Sequence, residues 1–112
     1  MASKIIVFTG AVAAKDFISP RLPDFATRGI VSQTFFSDEA MKTPVYPNAG
    51  AVTYTGSEDG FNYGSLDDSA VNPLTGNYKR ASWQLGAIAN VKATMAGITG
   101  ATHFRIVIAV SD

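Results

Sequence analysis

His103 is the chain's single histidine, so a Ser-His-Asp relay or an imidazole metal site would have to use it. It stands between Thr102 and Phe104, two residues before Arg105, at the polar start of an alternating apolar run. No nucleophile motif accompanies it, and the expected role is a surface or subunit-contact side chain. A second group is acidic: Glu58, Asp59, Asp67 and Asp68. Oxygen-rich loops hold calcium, and two carboxylates at the right separation cleave glycosides. Their spacing matches no EF-hand loop, and a chain of 112 residues struggles to frame a sugar cleft. They read as solvated turn acids beside Gly60 and Gly64, with calcium binding left open.

The glycines carry no phosphate-binding signature. Gly97 and Gly100 precede a strand rather than a helix, and Gly56, Gly60 and Gly64 lack the Lys-Ser/Thr step of a phosphate loop. Lys79-Arg80 beside Tyr78 and Trp83 has the ingredients for stacking single-stranded bases, but two charges are few. Exposed aromatic faces also suit sugar rings, although a β core would consume most of the aromatic residues, Trp83 first. With no cysteine, the chain has no disulfide, thiolate nucleophile or zinc–thiolate site. No catalytic residue, metal site or cofactor is expected.

The composition points away from catalysis and toward contact. Charged residues make up 16% of the chain, against roughly 25% in an average soluble domain, while 46% are hydrophobic. Nine basic residues balance nine acidic ones, which disfavours a phosphate-gripping protein and argues against disorder. A chain this poor in charge is expected to cover surface with copies of itself or with a partner. No stretch approaches the roughly 20 apolar residues that cross a bilayer. Residues 1–14 loosely imitate a secretory signal, with Lys4 before an apolar run, but Gly10 interrupts that run and a buried first strand is the better reading.

The elements that would position these residues are strands. Residues 5–9, 30–36 and 51–55 are β-branched and aromatic. Residues 15–29, with Pro20 and Pro23, read as a looping connection with at most one helical turn. Residues 37–42 begin like a capping box, but Pro44 follows at once. Residues 57–60 signal a turn, with residues 61–63 as the returning strand. Residues 64–76 read as surface loop, 77–79 as a short edge strand and 83–88 as strand or core plug. Val91, Ala93 and Met95 alternate, and Phe104, Ile106, Ile108 and Val110 form one face of a long strand; the two runs are close enough to form a hairpin. Short strands separated by frequent turns predict a single all-β domain over residues 1–112, an antiparallel β-sandwich or barrel with long loops and little helix.

Trp83, Val91-Lys92-Ala93-Thr94 and the run from Gly97 through Thr102, His103 and Phe104 to Ile106 resemble the C-terminal ends of small structural proteins of tailed bacteriophage virions. The likeness covers about a third of the chain and is one of style. Ile98, Gly100, Thr102 and Phe104 also fall on the spacing of the tyrosine corner in fibronectin type III domains, although Phe104 lacks the hydroxyl that such a corner uses. The second resemblance implies a β-sandwich only. The first implies a non-enzymatic virion subunit, in capsid decoration or cement, neck or tail, assembled in the host cytoplasm. Its expected partners are copies of itself and other virion proteins, in a ring or trimer, with neither nucleic acid nor membrane. The two most apolar segments supply the expected subunit interface: Ile5, Ile6, Val7 and Phe8, with Val107 and Ala109. The alternative function is a carbohydrate-binding β-sandwich module, recognisable by an exposed aromatic row.

Overall fold

The computed structural model describes residues 2–66 and 74–112. Two antiparallel sheets pack face to face. The first contains β1 (Ser3–Ala11), β9 (His103–Ser111) and β3 (Arg28–Phe36) in that order. The far side of β3 is shared by β7 (Tyr78–Gln84) along its first part and β4 (Pro44–Val45) at its end. The second sheet runs β2 (Asp16–Ile18), β8 (Asn90–Thr99), β5 (Ala49–Ser57) and β6 (Gly64–Ser65). The architecture is therefore a sandwich, and the barrel alternative is set aside. Among the described residues, the only helical element is a single 3-10 turn, Val12–Ala14, and no helix is long and apolar enough to cross a membrane.

Period-two alternation builds the core. On β9, Phe104, Ile106, Ile108 and Val110 are sealed from solvent, flanked by β1 on one side and β3 on the other. They meet Val52 and Tyr54 of β5 and Val91, Ala93 and Met95 of β8 in one hydrophobic cluster. Phe104, whose missing hydroxyl set it apart from a tyrosine corner, is a core aromatic. Its ring stands edge-on to Phe17, with centroids 4.2 Å apart, and to Phe8 at 6.4 Å.

Three local expectations are corrected. The segments 91–95 and 104–110 do not form a hairpin: β8 bonds to β2 and β5, β9 to β1 and β3. Gly100, at φ +84°, turns the chain out of β8, Ala101 is buried, and the Thr102 N–H donates to the Phe36 carbonyl on the other sheet. Residues 61–63 are not the returning strand; the ladder with β5 closes later, through Gly64 and Ser65. Within the connection read over residues 15–29 lies β2. Ser19 follows it, its N–H donating to the Val91 carbonyl while its hydroxyl accepts from the Val91 N–H. Residues 83–88 divide between the two readings offered: Trp83 closes in from β7, then Leu85 plugs the core.

Candidate functional site

The outer face of the first sheet is the principal candidate. Adjacent strands bring its outward side chains into rows. Ile5 lies beside Ala109 and Ala109 beside Ile30; in the next row Val7 lies beside Val107 and Val107 beside Ser32. Ile5 is 67% exposed, Val7 52% and Ile30 47%; Ala109 is also exposed and Val107 half-buried. The charged side chains at the two ends of this band are both arginines: Arg28 beyond Ile30, and Arg105 beyond Val107. A groove of about 550 Å³ runs along the Ile5–Ala109–Ile30 end. Scattered exposed apolar residues need no explanation, whereas a contiguous patch marks a contact surface.

Of the six residues expected at an interface, the pleat separates two from the other four. Ile5, Val7, Val107 and Ala109 share the outer face. Ile6 is buried among core residues, and Phe8 packs partly buried against them. A one-residue step moves a side chain to the other face of a sheet, so a continuous apolar run cannot all point one way. Ile30 was missed. Residues 31, 33 and 35 point inward, which leaves Ile30, Ser32 and Thr34 outward, but polar Gln33 in the inward set and apolar Ile30 in the outward set mask that alternation in the sequence.

The opposite outer face is mostly polar, with Ile18 an exposed apolar side chain on it. Asp16, Thr94 and Thr53 form one row, and Ile18, Lys92 and Thr55 the next. Lys92 lies with its ammonium 4.6 Å from the centroid of the Tyr63 ring.

The residues considered for chemistry are dispersed. His103 Nδ1 lies 2.9 Å from the Thr102 hydroxyl, a contact between chain neighbours. Asp59 organises its own turn. Its Oδ1 accepts from the backbone N–H groups of Phe61 and Asn62 and from the Ser57 hydroxyl, each at 2.8 Å, and its Oδ2 from the Asn62 amide. The Asn62 and Phe61 backbone bonds, followed by those from the Asn62 and Ser57 side chains, hold this carboxyl well below the usual carboxylate range. Glu58 helps line a cavity of about 110 Å³ with Arg21 and Asp24, below the few hundred Å³ of a typical ligand pocket. Asp67 and Asp68 lie outside the described residues, as do the side chains of Tyr78, Lys79 and Arg80. Among the described residues no cluster of three metal-ligating side chains occurs. Trp83 is 2% exposed and packs against Tyr54. Tyr46 and Phe61 are exposed, but on connections following β4 in one sheet and β5 in the other.

No protein-family model and no curated protein matches the chain. Among solved structures, the SPBc2 prophage-derived protein YomS superposes with a TM-score of 0.61 at 9% identity, covering 99% of this chain and 96% of that one. A chain of the Bacillus endospore appendages, described as disulfide-linked pili, superposes with a TM-score of 0.51 at 12% identity, covering 98% of this chain and 87% of that one. At these identities the likeness is one of fold: this chain has an antiparallel β-sandwich similar to those of a prophage-derived protein and a pilus-forming protein.

Proposed function

We propose that the chain is a non-enzymatic structural subunit of a bacteriophage virion, in capsid decoration, neck or tail, that acts by self-association and is assembled in the host cytoplasm. The observation that carries this reading is the outer face of the first sheet, where Ile5, Val7, Ile30, Val107 and Ala109 form one apolar band in a chain of only 16% charged residues. Covering such a band with protein removes apolar surface from water at roughly 25 cal/mol per Å². The similar structures support it in kind, one being prophage-derived and the other pilus-forming. The appendage pili are disulfide-linked, whereas this chain has no cysteine, so its own assembly uses no disulfide. The carbohydrate-binding alternative is less well supported, because Trp83 is in the core and Tyr46 and Phe61 share no face.

The test is Ile30→Glu, which places a charge on the β3 side of the band without touching the core. Light scattering should show wild-type chains assembling and the variant, equally well folded, shifted toward single chains. A variant that assembles like wild type removes this face as the contact.

A further inference from the structure

We propose that the free edge of β1 pairs with the same edge of a second copy, joining two first sheets into one continuous sheet about a two-fold axis. The proposal deepens the self-association reading and rests on it. The backbone is the starting point. The Val12 N–H donates to the Thr102 carbonyl, and the Asp112 N–H to the Ala2 carbonyl. Both pairs continue the register that runs unbroken from Ser3 opposite Ser111 to Ala11 opposite His103. In an antiparallel ladder bonded and non-bonded pairs alternate. Even-numbered residues of β1 therefore exchange bonds with β9. Ser3, Ile5, Val7, Thr9 and Ala11 aim their N–H and C=O groups at the opposite edge, which no strand among the described residues pairs, and all five residues are exposed.

An unpaired edge is a template for another strand, and sheets protect such edges by shortness, charge, proline or bulges. The other edge strands carry such protection. β2 has three residues, and β4 and β6 have two each. β7 carries a register shift against β3. β1 has nine residues, no proline, no bulge and one charge, Lys4.

The edge is self-complementary in one register. Pairing through free backbone groups sets odd residues opposite odd residues. Centring the two-fold axis on Ile6 sets Ile5 against Val7 of the second copy and Ser3 against Thr9. Centring it on Ile5 sets Val7 against Ser3, and centring it on Val7 sets Ile5 against Thr9. The Ile6-centred register alone matches both outward apolar side chains with apolar partners. It also sets Lys4 opposite Phe8, so no like charges face each other. A patch that pairs with itself about a two-fold axis gives a closed pair, the unit from which a ring would be built.

Val7→Pro removes one outward N–H and no bond to β9, a change that edge strands tolerate. Ile5→Lys/Val7→Lys keeps the whole backbone and adds charge to the edge. Sedimentation of each variant beside wild type should show association weakened about tenfold or more; for Val7→Pro this is the scale of two lost interchain hydrogen bonds, one from each copy. Circular dichroism should keep the wild-type β signal. If Val7→Pro fails to fold, Thr9→Pro decides, because it removes another outward N–H of the same edge outside the apolar band, which the double-lysine variant also charges. Folded variants that associate like wild type overturn the edge pairing and leave self-association through another surface standing. A wild-type chain that stays single at every concentration overturns both. The register has its own test, helped by the absence of native cysteine. Mixed Ile5→Cys and Val7→Cys chains should cross-link on mild oxidation more readily than either alone; stronger cross-linking of Val7→Cys by itself overturns the Ile6-centred register.

Discussion

The Tyr54 hydroxyl donates to Gln33 Oε1 at 2.6 Å, joining the two sheets by a hydrogen bond inside the core. Gln33 lies at an inward position of β3, sealed from solvent, and its Nε2 donates to the Gly76 carbonyl at 2.7 Å. One amide thus ties β3 to β5 and to the segment that leads into β7. A buried polar group of this kind is tolerated only with partners, and removing one strands the other.

Tyr54→Phe should therefore cost about 1–3 kcal/mol, since it leaves the Gln33 oxygen buried without this donor. A change near zero in a urea titration contradicts the bridge. Burial also pushes Tyr54 ionisation far above its ordinary value. In the unfolded chain the phenol loses its proton near pH 10. The stability tied to this shift is fully present below about pH 10 and is lost as the pH rises toward the folded-state value. Wild type should therefore lose stability more steeply above pH 10 than Tyr54→Phe does.

Ile106→Ala should cost about 2–5 kcal/mol, because the side chain is fully buried on a strand flanked on both sides. A loss below about 0.5 kcal/mol is the size of a surface substitution and would contradict its place in the core.

At the turn after β5, Asp59 is fully exposed yet accepts from both backbone and side-chain donors. Its folded-state pKa is lowered, so the stability it contributes is present above the ordinary carboxylate value near 3.9 and is lost as the pH falls below it. Asp59→Asn should flatten the loss of stability below about pH 4 in thermal melts. An acid limb identical to that of wild type contradicts the role given to these bonds.

Much of the strand content was legible because alternation and β-branched residues act locally. Residues 104–110 alternate cleanly, and their inward set is the one buried. Pairing was not legible in the same way. A one-face pattern shows that a strand covers a core but not from which sheet, so residues 91–95 and 104–110 looked like a hairpin. Gly100 and the Thr102–Phe36 bond carry the chain across instead. The candidate face was half legible. The apolar run of β1 marked the right strand, yet with Ile5, Ile6, Val7 and Phe8 all apolar, composition could not divide outer from inner. Only the register with β9 does so. Ile30 and Gln33 were hidden for a related reason: each is exceptional for the face it occupies, one apolar and outward, the other polar and inward.

The proposed function rests on self-association. Sedimentation velocity of the purified chain, over a dilution series at near-physiological salt, measures it without any substitution. The expected result is a species heavier than the 11.8 kDa single chain, shifting toward it on dilution. A single 11.8 kDa species at every concentration would contradict it.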